Sequence, residues 1–289
     1  MEQDKSQKHR VTPQGGLLLL TYGGVFEAPE VGRRFPLEGE EVIIGRSSDA
    51  HIQIDRDSVS RRHARLAKAD GGWIVQDLQS TNGSYVNDVP IQEHKLAVGD
   101  QLKVGSAMFR YLAGGQIETQ LLDELYQIAV RDGLTLALSR RAFVEAVDRE
   151  VARARKLSKP LSLLVLDIDH VKQINDNFGQ LSGDFVIRDL ARRIRKKCER
   201  FELLGRYEGT QFLLALPETT AAVGQSRAEE LRELTAGEPF SFEGDRLAVT
   251  VTIGVVEYQP NWETAHFLRH TQEALLRGKK QGRNRAFTV

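Results

Sequence analysis

The feature that most constrains this chain is a change of hydrophobic period near residue 116. From Leu17 to about Leu112 the apolar residues come in short runs (LLLLTY, EVIIG, HIQI, ARLAKA, WIVQDL, DQLKVG, AMFRYL) separated by clusters of Gly, Asp, Asn and Pro. Short runs with turn residues at close spacing predict the strands of an all-β sandwich. Beyond Gln116 the apolar positions become Ile117, Leu121, Leu125 and Ile128. That is the spacing of one helix face. Two destinations for this stripe stay open: the helix packs on its own domain, or it forms a seam with a second copy of the chain.

From Leu134 onward helical patterns alternate with strand-like runs. Helices are expected at Arg141 to Lys156, at Gly183 to Lys197 (Val186, Ile187, Leu190 and Ile194 on one face), at Ala221 to Leu234 and at Trp262 to Lys279. Strands are expected at Leu161 to Asp169, at Leu247 to Val256, and at Leu203 to Tyr207 and Phe212 to Leu216, the last two joined as a hairpin through EGTQ. The order β, α, β, β, α, β suits a ferredoxin-like α+β sheet. The 289 residues suffice for two domains with separate cores. The expected organisation is a flexible polar tail over 1–15, a sandwich over 16–113, a linker helix over 114–131 and an α+β domain over 132–289.

Charge and cysteine content narrow the function classes. Forty Lys and Arg balance forty Asp and Glu, so the whole chain carries no basic field to attract nucleic acid or an anionic membrane. A single cysteine, Cys198, excludes an intramolecular disulfide framework and a Cys-rich zinc site, which suits a reducing compartment. No run of apolar residues is long enough to cross a bilayer, and Met1 to Arg10 has no apolar signal core. The expectation is a cytoplasmic protein.

Three turns in the β-rich half carry a chemistry: GRSS at Gly45 to Ser48, SRRH at Ser60 to His63 and STNG at Ser80 to Gly83. Loops at one end of a sandwich cluster, so Arg46, Ser60, Arg61, Thr81 and Asn82 are candidates for one surface. A phosphate dianion needs a guanidinium and hydroxyl donors, while an Asn amide grips a peptide backbone with one donor and one acceptor. In order and spacing these turns resemble the FHA (forkhead-associated) family over Leu17 to Leu112. The resemblance implies that Arg46 and Ser60 bind the phosphate of a phosphothreonine, with Arg61 assisting. It places Thr81 near that residue, Asn82 on the peptide backbone, and His63 in a structural role. Thr12, ahead of Pro13, is a candidate phosphosite through which the chain's own tail would dock on Arg46.

In the second half, LLVLDIDHVKQIND puts Asp167 and Asp169 at a strand end, followed by a helix carrying Asn175 and by Asp184 in the turn SGDF. Paired carboxylates at a strand end are one way to hold Mg²⁺ beside a nucleotide triphosphate. The runs DGLTLALSRR, DIDHVKQINDNFGQLSGD, RYEGTQF, VTVTIGV and KKQGRNR resemble, in order, the GGDEF diguanylate cyclase family from Asp132 to Val289. The resemblance implies a metal ligand at Asp167, guanine-reading groups at Asn175 and Asp184, and triphosphate contacts at Lys279 and Arg283.

The signature itself departs. Where the family has Gly-Gly-Asp/Glu-Glu-Phe, this chain has Glu208, Gly209, Thr210, Gln211 and Phe212. Thr210 stands where a carboxylate completes the metal pair, Gln211 lacks another, and Glu208 adds bulk and negative charge beside an anionic ligand. Leu136, Ser139 and Gln272 replace the usual Gly, Asn and Asp. The product-inhibition motif R-x-x-D falls on Glu199 and Glu202, with Arg200 one place out of register. Phosphoryl transfer rests on positioning and charge neutralisation, so these losses predict a domain without useful cyclase activity or a resident cofactor. Two readings follow. One is a noncatalytic bacterial adaptor in cyclic di-GMP-related regulation, binding a phosphothreonine protein or its own phosphorylated tail and, through the second domain, protein, GTP or cyclic di-GMP. The other is a Mg²⁺-dependent diguanylate cyclase with an atypical hairpin. A homodimer through the linker helix is compatible with both.

Overall fold

The computed structural model of the protein describes residues 15–24, 28, 30–114 and 117–289. Of the tail expected over residues 1–15, residues 1–14, with Thr12, lie outside them. The chain divides into two compact units, Met1–Ile128 and Ala129–Val289.

The first unit is a sandwich. Its described strands are β1 (Gly16–Gly23), β2 (Arg34–Leu37), β3 (Glu41–Gly45), β4 (Ile52–Gln53), β5 (Ala64–Ala69), β6 (Gly72–Asp77), β7 (Ser84–Val86), β8 (Val89–Ile91), β9 (Glu93–Lys95), β10 (Gln101–Val104) and β11 (Ala107–Ala113). One sheet runs β2-β1-β11-β10-β7-β8 and the other β4-β3-β5-β6-β9. Between them Leu18, Leu20, Ile44, Leu66, Trp73, Val75, Leu102 and Phe109 form the core. Strand β1 is buried on both faces, which explains its unbroken leucine run where a one-sided strand would alternate. The second cover is helix α1 (Ile117–Val130): Ile117, Leu121, Leu125 and Ile128 pack with Leu17, Leu19 and Leu112. The predicted stripe is therefore spent within its own unit.

The second unit contains α2 (Arg140–Leu157), β12 (Leu161–Ile168), α3 (Val171–Phe178), α4 (Gln180–Lys197), β13 (Leu203–Glu208), β14 (Gln211–Pro217), α5 (Ala221–Gly237), β15 (Phe240–Phe242), β16 (Asp245–Leu247), β17 (Val251–Glu257), α6 (Thr264–Lys280) and β18 (Ala286–Thr288). Its sheet runs β13-β14-β12-β17-β18. Strand β12 is antiparallel to both β14 and β17, the ferredoxin-like order, and β18 adds a parallel edge. On one face Phe143, Val147 and Val151 of α2 and Phe267, Ala274 and Leu275 of α6 pack on Leu161, Leu163 and Val165. On the other, Gly224 of α5 comes against Ser162 and Val255, and α4 packs beside α5.

Two local expectations are corrected. The strand expected over Leu247 to Val256 is broken, because Leu247 pairs back to Phe240 in a hairpin turned by Gly244 (φ +95°), and β17 starts only at Val251. Asp184 does not lie in a turn: Gly179 (φ +83°) ends α3, and α4 begins at Gln180 and runs through SGDF. Gly183 serves close packing there, since a Cβ would stand 2.0 Å from Asn175 Oδ1.

Candidate functional sites

In the first unit the three turns meet. Strand β3 ends at Gly45, where a Cβ would fall 2.1 Å from the Arg61 carbonyl oxygen, so only glycine lets the chain close on the SRRH loop. The closure is made by Arg46 N–H to Ser60 O (2.9 Å) and Ser47 N–H to Arg61 O (3.2 Å). Arg46 is exposed, with Nε donating to Val59 O at 3.3 Å. Ser60 Oγ accepts from Thr81 N–H at 3.1 Å and donates to Thr81 Oγ1 at 3.5 Å. Asn82 Nδ2 donates to Ser58 O at 2.8 Å. Arg46, Ser60, Thr81 and Asn82 thus share one surface. Arg61 is exposed on the same loop and is tied in through its backbone carbonyl.

His63 explains why the loops hold this shape. It is fully buried, its Nδ1 accepts from Ser60 N–H at 3.0 Å, and its Nε2 donates to Gly83 O at 3.0 Å. A carbonyl only accepts, so the ring is the neutral Nε2–H tautomer. Burial pushes its pKa below the ordinary histidine value, outweighing the Gly83 carbonyl and the Asp77 charge. Asp77 was not singled out from sequence, yet it fixes the STNG turn by accepting from Ser80 N–H (2.9 Å), Ser80 Oγ (2.6 Å) and Ser84 Oγ (2.7 Å). Burial works to raise the Asp77 pKa, but these hydrogen bonds together hold it below the usual carboxylate value. The signal available in sequence was the Asp-x-x-Ser spacing that closes a side-chain turn.

In the second unit the β13–β14 hairpin turns at Gly209 (φ +47°) and brings Thr210 and Gln211 beside Asp167 on β12. Asp167 is buried and both its oxygens are engaged. Oδ1 accepts from Thr210 Oγ1 at 2.6 Å; Oδ2 accepts from Gln211 Nε2 at 3.2 Å and from the Lys279 ammonium at the end of α6. Gln272 extends the network, donating through Nε2 to Gln211 Oε1 at 3.3 Å. Glu208 is exposed, and Phe212 is buried in the sheet. Asp169 does not join Asp167 as the sequence suggested. Its carboxylate accepts from Thr250 Oγ1 (2.8 Å), Thr252 Oγ1 (2.7 Å) and Asn284 N–H (3.1 Å), which anchors the start of β17 and the turn after α6.

The remaining candidates fall in two places. Asn175 on α3 lies against Gly183, next to Asp184 on α4, and its Oδ1 is buried without a hydrogen-bond partner. Arg283 is exposed in the turn after α6, four residues beyond Lys279. The pair Glu199 and Glu202 binds within the protein, Glu202 accepting from Glu199 N–H and from Arg227, both at 3.0 Å. A link that sequence reasoning missed joins Asp132 to Arg206, whose Nε also donates to Gly209 O at the hairpin turn (2.9 Å). Among the described residues no group of three or more His, Cys, Asp or Glu side chains is arranged to hold a metal, and no helix is long and apolar enough to cross a membrane.

Comparison with known proteins agrees with both halves. The family model for the FHA domain matches residues 42–105, and that for the diguanylate cyclase GGDEF domain matches residues 129–285. Diguanylate cyclase DgcP of Pseudomonas aeruginosa is 37% identical over 164 residues, 57% of this chain and 24% of that protein. Response regulator PleD of Caulobacter vibrioides is 36% identical over 166 residues, 56% of this chain and 37% of that protein. The chain therefore spans a quarter to a little over a third of the length of these relatives. Among solved structures, the coiled coil and GGDEF domain of DgcB from Caulobacter crescentus, in complex with c-di-GMP, aligns with a TM-score of 0.57 at 31% identity, covering 60% of this chain and 92% of that one. With an FHA-like sandwich ahead of a matched region that is more than half its length, the chain belongs to the GGDEF diguanylate cyclase domain family.

Proposed function

We propose that the protein is a noncatalytic signalling adaptor in cyclic di-GMP-related regulation. Its FHA surface takes a phosphothreonine-containing partner through Arg46, Ser60, Arg61, Thr81 and Asn82. Its GGDEF unit binds a guanine nucleotide or a protein without making cyclic di-GMP.

The observation that carries the noncatalytic reading is the state of Asp167. A Mg²⁺ ion needs near-octahedral oxygen coordination from one or two carboxylates plus substrate phosphates. The side chains present do not fit such an ion: the single carboxylate has a hydroxyl on one oxygen, an amide and an ammonium on the other. Binding metal there requires expelling three donors, one of them a cation. Thr210 and Gln211 are neutral and offer no replacement charge. The phosphopeptide reading is supported by an exposed guanidinium at Arg46 beside the Ser60 and Thr81 hydroxyls.

Incubating the full chain with GTP and Mg²⁺ or Mn²⁺, followed by chromatography, tests the first part; no cyclic di-GMP is expected. The second reading, a cyclase with an atypical hairpin, is favoured by the names of the relatives and by the retained Asp167, Asn175 and Lys279. Accumulation of cyclic di-GMP would establish it in place of ours. A pull-down comparing the parent with Arg46→Ala identifies the phosphorylated partner.

A further inference from the structure

The network around Asp167 has a charge balance unlike that of a site built for a divalent cation. A metal site in its empty state is an acidic pocket that repels a polyphosphate until the cation arrives. Here Asp167 carries the one negative charge in its hydrogen-bonded network, and the Lys279 ammonium already cancels it. The other members, Thr210, Gln211 and Gln272, are neutral.

We infer that this site takes the phosphates of a guanine nucleotide without a divalent cation: the Lys279 ammonium already offsets the Asp167 charge that a metal would otherwise have to neutralise, and it keeps N–H donors for phosphate oxygens. The inference rests on the reading that a guanine nucleotide enters this unit. Donor capacity is available for it. An ammonium has three N–H bonds and gives one to Asp167, and the Lys279 side chain is 31% exposed. Gln211 spends one amide hydrogen on Asp167 and keeps the second. Arg283, exposed in the turn four residues on, adds a guanidinium within the same segment. Glu208 is the one acid of the hairpin, and it stands exposed at the end of β13, paired with Gln211 in the strand ladder.

The test is calorimetric titration of the full chain with GTP, once in excess EDTA and once in Mg²⁺. The two dissociation constants are expected to agree within about threefold, because no metal-dependent charge neutralisation remains to be supplied. Lys279→Met is expected to weaken binding by about tenfold or more in both buffers, the loss of a charge-assisted contact, while Lys279→Arg retains most of it. Thermal melting of each variant controls for folding. The double variant Thr210→Glu/Gln211→Glu restores acids beside Asp167, and its GTP affinity in EDTA is expected to fall by about tenfold or more and to recover in Mg²⁺. Parent binding that drops at least about tenfold in EDTA overturns the inference and leaves nucleotide binding standing. An EDTA affinity unchanged in the double variant also overturns it. Absence of heat in both buffers removes the inference together with the nucleotide-binding part of the proposed function.

Discussion

Arg206 donates through Nη1 to both carboxylate oxygens of Asp132 at 3.1 Å, with side chains 2% and 8% exposed. Asp132 also accepts from Thr135 N–H (2.9 Å) and Thr135 Oγ1 (2.6 Å), so the segment that opens the second unit is tied through one carboxylate to the hairpin that shapes the site. Breaking a buried pair by removing one partner leaves an uncompensated charge. Arg206→Met is expected to lower unfolding free energy by about 3–5 kcal/mol. The double variant Arg206→Met/Asp132→Asn should recover part of the loss. Urea denaturation of the three proteins checks this, and a single variant as stable as the parent would refute it.

Leu136 adopts φ +59°, a left-handed conformation that costs a branched side chain about 1–2 kcal/mol. The position is 44% exposed, so little packing is lost on truncation. Leu136→Gly relieves that strain, and the greater freedom of the unfolded chain returns roughly 0.4–1 kcal/mol of it. The net expectation is a gain of up to about 1 kcal/mol. A differential scanning measurement that finds Leu136→Gly clearly less stable than the parent contradicts the strain argument.

Arg46 is an exposed guanidinium at the meeting point of the three turns. Arg46→Ala is expected to weaken a phosphothreonine peptide by about ten- to a hundredfold, the scale of a lost charged hydrogen bond. Its melting temperature should stay near that of the parent. Fluorescence anisotropy with a phosphothreonine peptide library and its unphosphorylated counterpart reads this; equal affinity of parent and variant would remove Arg46 from the site.

His63 makes the FHA surface sensitive to acid. Its folded pKa lies below the ordinary histidine value of 6.5, so the unfolded chain binds the proton more readily and stability falls as pH drops below about 6.5 toward the folded value. Asp77, also depressed, adds a loss at lower pH, as the solution falls through 3.8 toward its folded pKa. Protonating Nδ1 removes the acceptor for Ser60 N–H, so phosphopeptide affinity should weaken along with stability. Urea midpoints between pH 7 and 5, compared with those of His63→Gln, follow this window; a flat parent profile there would count against it.

Periodicity carried most of the architecture. The β-rich runs and the ferredoxin-like order were legible because strands and helices expose their period directly, and the folded order places β12 centrally as that pattern requires. What sequence could not supply was partnership. The stripe on α1 reads alike whether its cover is β1 and β11 or a second copy, and only the fold distinguishes them. Asp167 and Asp169, two residues apart, look equivalent in sequence, but one meets the hairpin and the other the Thr250–Thr252 segment. Asp132 and Arg206 are separated by 74 positions, a distance over which local patterns say nothing. The FHA turns were legible as a set, since each lies at a strand end, whereas the anchoring role of Asp77 needed the loop geometry.

The sharing of one carboxylate by Thr210, Gln211 and Lys279 makes these positions interdependent. An acid placed at position 210 alone sets two anions around a single ammonium, while Gln211 and Gln272 stay neutral, so a substitution at any one of them shifts the charge balance felt by the others.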